Sequence, residues 1–388
     1  MLKSLTLENF TVFPSVQLEF SPGLNAFVGE NGTGKTHLLK MAYCLSRAWP
    51  DLMLKRTSLS KSRATVYFED RLIGVFQPGS LSKLVRRGEF KSLLAAQIDA
   101  FIPTAKIKMP YEADPWPQFP FGNGVEELSW QLSILDNEQV NIASNANLDA
   151  AIIPDTAAVN SYILKSIFIP SKEIVSLYDG LTSLIENYRI NLDSTYRDLA
   201  LAIDSPELNH FPSWFDNVFS DLEFDLDGSL KLENNKLFFI QKNGATTEPP
   251  MMAEGHRKLA LLMYLVRHGA IEEKGGSIYW DEPEANLNPR LMVKLAKILV
   301  ALASHGIQVN IATHSLFFLK EIDLQLKLAS ATKLVPARFF ALSDNGKGVN
   351  VSSGESLEEI EPIVALDMEI DQADRYNSWL NQMAEKSN

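Results

Sequence analysis

Eight consecutive residues, Gly29-Glu30-Asn31-Gly32-Thr33-Gly34-Lys35-Thr36, fit the spacing G-x-x-x-x-G-K-[ST]. Glycines at these places permit a tight loop whose amide N–H groups turn inward as a nest for anions. A helix starting behind the loop adds its positive end to the same place. Lys35 supplies a point charge for β- and γ-phosphates, and the Thr36 hydroxyl suits Mg²⁺. The chemistry expected is therefore binding of a nucleoside triphosphate by residues 29–37, His37 included.

Two further groups acquire meaning beside that loop. Ser277-Ile278-Tyr279-Trp280-Asp281-Glu282 is an apolar strand ending in paired acids. Alone, such an ending reads as a turn with solvated carboxylates. Beside a phosphate loop, Asp281 is placed to hold the metal and Glu282 to act as general base on water. Ile311-Ala312-Thr313-His314 ends the next strand, where His314 can hydrogen-bond the γ-phosphate or the attacking water. Lys35, Glu282 and His314 are the expected catalytic residues, and Thr36 and Asp281 the expected metal ligands.

The elements that must carry these groups are legible around them. Strands are expected over 2–10, 16–20 and 24–28, and a helix over 35–48 that Pro50 stops. Downstream, the pattern predicts a strand over 166–169, a helix over 172–202 and a hairpin over 219–239 turning at Asp227-Gly228. A second turn is expected at Asn243-Gly244. A helix over 254–270, strand 277–280, helix 290–305, strand 308–312, helix 315–324 and a strand near 338–342 complete the series. Residues 95–165 read as short strands and loops. No internal repeat and no heptad run long enough for a coiled-coil arm is visible.

Composition narrows the class. The chain of 388 residues is long enough for a large core without covalent staples. Its lone cysteine, Cys44, excludes a disulfide framework and Cys-based zinc sites. The opening residues alternate like a strand rather than a signal peptide, and no run is apolar enough for a membrane span. A cytoplasmic protein without a membrane partner is expected. The net charge of −12 argues against a nucleic-acid coat, but it is unevenly spread. Residues 47–91 hold ten Lys/Arg against four acids, whereas 351–388 hold nine acids against two bases.

Together, the phosphate loop, the Asp281-Glu282-Pro283-Glu284-Ala285-Asn286-Leu287-Asn288-Pro289 run and the Ala312-Thr313-His314-Ser315 strand end resemble the ABC-type ATPase heads. More closely, the chain is similar to the soluble branch containing RecF, the SMC-type heads and OLD-like ATPases. The opening Leu5-Thr6-Leu7-Glu8-Asn9-Phe10 fits that branch too. The resemblance covers about residues 1–50 and 250–345. It implies an α/β fold, an ABC-type P-loop ATPase head with a mixed β-sheet core and an inserted α+β or helical lobe. The implied parts are 1–54 and 251–345 as halves of the core, 55–250 as insertion, and 346–388 as acidic tail.

The resemblance also implies a loop that opens a helix and faces the nucleotide of a second copy. Ala253-Glu254-Gly255-His256-Arg257-Lys258 matches it, with Ala253 in place of the usual serine and Arg257 or Lys258 as compensating cations. Asn288 takes the D-loop position where Asp is common. For the Q-loop, Gln77 fits by local sequence, while Ser171 and Lys172, after the 166–169 strand, fit better by topology. ATP and Mg²⁺ are the implied cofactors. The implied partners are a second copy, or more, in a head-to-head ATP sandwich and a separately encoded nuclease or toxin. Single-chain ATPases of this kind often accompany such effectors in anti-phage defence, and no nuclease domain is expected here. DNA is the alternative partner, as in RecF-like repair, through Lys83, Arg86, Arg87 and Lys91.

Overall fold

The computed structural model describes residues 1–54, 60–101, 125–145, 165–179, 181, 184, 192–208, 211–271, 273, 275–330 and 334–386. Its centre is a six-stranded sheet in the order β14-β13-β3-β12-β11-β7. The strands are β3 (Leu24–Gly29), β7 (Ser166–Ile169), β11 (Ser277–Asp281), β12 (Gln308–Thr313), β13 (Ala337–Asp344) and β14 (Val349–Gly354). All but β14 run parallel. β11 and β12 are buried along their whole length, which is why they read as continuous apolar runs rather than alternating ones.

One face of this sheet, with Ala26, Val28, Ile278 and Ile311, packs into a helical layer. That layer includes α5 (Glu254–Arg267), α6 (Pro289–Ser304) and α7 (Leu316–Ala329). The other face, with Phe27, Tyr279 and Phe340, packs toward α1 (Lys35–Leu54), α2 (Lys61–Phe76) and a second sheet. The second sheet is antiparallel, in the order β2-β1-β4-β5-β6. It joins β1 (Leu2–Phe10) and β2 (Phe13–Glu19) to β4 (Lys91–Phe101), β5 (Val125–Leu135) and β6 (Val140–Ser144).

The sheets redraw the expected divisions at 54/55 and 250/251. β4 pairs with β1, so the segment after α1 completes a sheet begun by the first residues. β7 pairs with β11 at the edge of the central sheet. What remains as a lobe is α3 (Ser194–Ile203), α4 (Phe215–Leu226) and the small sheet β8 (Gly228–Glu233), β9 (Lys236–Gln241) and β10 (Thr246–Thr247).

Several expected elements differ, each for a local reason. α1 runs through Pro50 to Leu54, because Trp49 and Leu52 are buried and an Arg47–Asp51 ion pair at 3.1 Å spans the proline. Residues 61–76, read only as basic sequence, form α2, capped at its start by Ser60. The helix expected from Lys172 starts instead as a bend with a short 3₁₀ turn over Val175–Leu177; Leu181 and Leu184 are helical, and a further helix starts at Ser194 behind Asp193, its N-cap. Much of 180–191 lies outside the described residues. The expected strand at Phe219 is helix α4, and Asp227, with φ of 54°, ends that helix instead of turning a hairpin. The hairpin turns at Asn234-Asn235, whose φ angles of 51° and 61° suit a two-residue loop. The tail forms α8 (Val364–Lys386), which contains the acids from Asp367 to Glu385.

Candidate nucleotide site

The phosphate loop joins β3 to α1 at the C-terminal edge of the parallel strands, where α/β sheets bind ligands. Gly34 is required twice over. Its φ is +84°, and a Cβ there would meet Val12 Cγ2 at 2.7 Å and Phe13 Cζ at 2.8 Å. Gly32, at φ of +87°, has open space around it, and with Glu30 and Asn31 it forms the exposed lip. Thr33 ties the loop through its hydroxyl to Glu30 O at 2.8 Å. Lys35 Nζ donates to the carbonyls of Gly29 at 2.6 Å and Glu30 at 2.8 Å. Burial draws its pKa down, while Glu282, Asp281 and other acids pull the other way. His37 lies in the first turn of α1, and its ring meets Phe76 edge-on at 5.6 Å, in the contact between α1 and the end of α2.

Thr36 and Asp281 come together although 245 residues separate them. The Thr36 hydroxyl lies 2.9 and 3.1 Å from the two carboxylate oxygens. Burial pushes the Asp281 carboxyl up to about 6, against the Thr36 hydrogen bond that lowers it. One hydroxyl and one buried carboxylate are hard oxygen donors, the set that suits Mg²⁺. Among the described residues no cluster of three His, Cys, Asp or Glu forms an all-protein metal site, so a cation here would share its remaining positions with phosphate and water.

Glu282 follows at φ of 48°, a left-handed conformation that costs a non-glycine residue about 1 kcal/mol or more and gathers at functional sites. Its amide donates to Ala312 O at 2.8 Å, fixing it against the neighbouring strand. Its carboxylate, 32% exposed, stands 3.2 Å from His314 Nδ1. Thus the expected base and the expected switch histidine face each other at the open edge of the sheet.

The loop opening α5 is arranged more inwardly than expected. Ala253 is the N-cap and offers no capping side chain. Gly255 is buried, and a Cβ there would meet Leu287 Cδ2 at 2.8 Å and Asn286 O at 3.0 Å. Asn286 Nδ2 donates to Glu254 Oε1 at 2.8 Å, so this loop packs on its own D-loop. His256 is half-buried in the same turn. The expectation that Arg257 or Lys258 offers a cation to a second copy is corrected here. Arg257 pairs with the buried Glu173 at 2.7 Å and donates to Met252 O and Pro249 O. Lys258 is 3% exposed and donates to Ala285 O at 3.0 Å, its pKa drawn down by burial. Asn288 likewise spends its side-chain oxygen as N-cap of α6, accepting from Leu291 N at 3.0 Å.

Ser171 and Lys172 lie just past β7, at the same edge as Asp281. β12 and β11 stand between β7 and β3, so about 14 Å of sheet separates them from the phosphate loop strand. Gln77 is exposed at the C-cap of α2, adjoining Phe76 and through it His37. Two residues near the site went unassigned in the sequence. Glu173 anchors Arg257 and caps Ser176, and Glu284 holds Thr313. The signal for both was an acid just past a buried parallel strand.

Segments of the chain, and its fold, are similar to known proteins. A family model described as "AAA domain, putative AbiEii toxin, Type IV TA system" matches residues 155–320, and one described as "AAA domain" matches 4–79. The DNA replication and repair protein RecF of Streptococcus equi subsp. zooepidemicus is 33% identical over 95 residues, 24% of this chain and 23% of RecF. RecF of Cytophaga hutchinsonii is 48% identical over 44 residues, 11% of this chain and 12% of that one. The chain thus spans less than a quarter of the length of these curated relatives. A crystal structure of the SmcHead bound to the C-winged helix domain of ScpA superposes with a TM-score of 0.51 at 15% identity, covering 92% of this chain and 98% of that one. The chain thus has the fold of an SMC-type head, and two of its segments are similar to AAA domains and to RecF.

Proposed function

We propose that this chain binds ATP and hydrolyses it between two copies packed head to head, and that the cycle gates a separately encoded effector. The observation that carries the reading is the Thr36–Asp281 contact, with Lys35 buried beside it. Thr36 and Asp281 would hold Mg²⁺, which supplies charge neutralisation on the phosphates. Lys35 exchanges the carbonyls of Gly29 and Glu30 for the β- and γ-phosphate oxygens. Glu282 accepts a proton from the attacking water as its oxygen bonds to the γ-phosphorus and the bond to the ADP oxygen breaks. His314, against Glu282, orients that water or the phosphate. The helix opening at Gly255 supplies amide N–H groups to the nucleotide of the second copy.

Turnover is expected to be slow and to depend on dimerisation, because each site is completed by the other copy. Glu282→Gln is the test: it should retain ATP and accumulate dimers, and loss of ATP binding in that variant would remove the assignment.

The effector reading draws support from two sources. The family model over 155–320 carries the name of the AbiEii toxin of a type IV system. In addition, α8 presents Tyr376, Trp379, Leu380 and Met383 to solvent at spacings i, i+3, i+4 and i+7, on a helix with five acids and two bases. A basic amphipathic segment of the effector fits such a face. Trp379→Asp with Leu380→Asp should abolish co-purification of the effector while ATPase activity persists.

RecF-like DNA binding is the second reading. Lys83, Arg87, Phe90 and Lys91 are exposed together, a basic edge with an aromatic ring. Arg47 and Arg71 from the same basic stretch are committed to internal ion pairs, and Arg86 donates to Lys347 O. Lys55 and Arg56 lie outside the described residues. DNA affinity through the exposed edge should fall steeply from about 50 to about 300 mM salt, and affinity unchanged by salt would exclude it.

A further inference from the structure

Glu284 follows the expected base by two residues and takes no step in the reaction above. Its side chain is 3% exposed. Its Oε1 accepts from the Thr313 hydroxyl at 2.6 Å and, more weakly, from the His314 amide at 3.4 Å. The same oxygen stands 3.7 Å from His314 Nδ1, on the ring that also faces Glu282. Thr313 Oγ1 in turn accepts from the Ser315 amide at 3.0 Å, and Ser315 Oγ caps α7 by accepting from Phe318 N at 3.2 Å. The whole turn that carries His314, from the end of β12 into α7, therefore hangs on one carboxylate oxygen of the loop after β11.

The second oxygen, Oε2, is buried and makes no hydrogen bond among the described residues. A carboxyl in that position is expensive to bury, and burial pushes its pKa up. Holding the Thr313 hydroxyl alone would need only a neutral acceptor. What an acid adds is a second partner for the imidazole. Glu282 cannot serve His314 and the attacking water with the same oxygen at once.

We propose that Glu284 is the positioning residue of His314: it fixes the turn through Thr313 and receives the Nδ1 side of the ring when Glu282 engages water. His314 then keeps its aim, with Nε2 left for the phosphate or the water. This inference rests on the hydrolysis reading and adds a residue to it.

The test is a double-mutant cycle in steady-state ATPase assays on the full chain, with ATP binding measured in parallel. Glu284→Ala should lower kcat by about 10- to 100-fold with KM for ATP within about threefold, the pattern of lost positioning rather than lost binding. Glu284→Gln, which keeps an acceptor oxygen at the Thr313 hydroxyl but not the carboxylate that faces the imidazole, should restore only part of the kcat lost in Glu284→Ala. In a His314→Ala background, Glu284→Ala should change kcat less than about twofold, because its effect passes through His314. Should Glu284→Ala fail to fold, Thr313→Val removes the same link and should show the same non-additivity. A wild type with no turnover overturns the hydrolysis reading and this inference with it. A wild type that turns over, but in which Glu284→Ala is harmless or costs the same factor with and without His314, overturns this inference alone.

Discussion

The Thr36 hydroxyl donates to the Asp281 carboxylate, at 2.9 Å to Oδ2 and 3.1 Å to Oδ1, across 245 residues of chain. Two parallel strands, β3 and β11, flank β12 and deliver these side chains to one edge. Asp281→Ala should therefore erase the gain in ATP affinity that Mg²⁺ confers, set here at tenfold or about 1.4 kcal/mol, while affinity in EDTA stays near wild type. Calorimetric titration with and without Mg²⁺ reads this directly.

Lys35 is 6% exposed, and its ammonium is satisfied by two loop carbonyls. Lys35→Ala should weaken ATP binding by at least about 2 kcal/mol, roughly 30-fold, since a desolvated cation is removed from the phosphates. Equilibrium binding of a fluorescent ATP analogue checks it, and unchanged affinity would move the site elsewhere.

Asp198 on α3 ties the lobe to the ATPase core, accepting from Tyr43 OH at 2.8 Å on α1 and pairing with Arg71 at 2.5 Å on α2. Burial would raise its carboxyl, but Arg47 and Arg71 outweigh burial and hold it below its ordinary value of 3.8. The sign follows from linkage: its contribution to stability is present above about pH 4 and is lost as pH falls through the lower folded value. Asp198→Ala should cost about 3–5 kcal/mol at pH 7, because Arg71 is left buried without its partner. Urea denaturation from pH 7 down to pH 3 should show that cost shrinking at the acid end.

The Arg257–Glu173 pair, at 2.7 Å with Glu173 3% exposed, fastens the segment after β7 to the start of α5. Arg257→Ala should cost about 3 kcal/mol. It should also speed hydrogen exchange over 171–178, where Glu173 caps the Ser176 amide. ATP binding by a single copy should persist, because the phosphate loop does not depend on this pair.

Much of the site could be read in the sequence because its parts are contiguous. The phosphate loop, the Asp281-Glu282 strand end and His314 each declare themselves within a few residues, and buried parallel strands have an unmistakable apolar run. What escaped depends on long-range pairing. Arg71 and Arg47 counted as surface charge in a basic stretch, yet distant Asp198 draws both inside. Arg257 and Lys258 looked available to a second copy until Glu173 and Ala285 O claimed them. Asp227-Gly228 carried the composition of a hairpin turn, but the amphipathic run before it made a helix and Asp227 its cap. Pro50 was a fair stop signal that core packing of Trp49 and Leu52 overrode.

The central claim, ATP bound between two heads and hydrolysed with Glu282 as base, is tested most directly by the mass of Glu282→Gln in solution. With ATP and Mg²⁺, light scattering should show its mass doubling from 43.3 kDa, and adding Lys35→Ala should return it to a single copy. A Glu282→Gln chain that binds ATP yet keeps the mass and the turnover of the wild type would contradict the account.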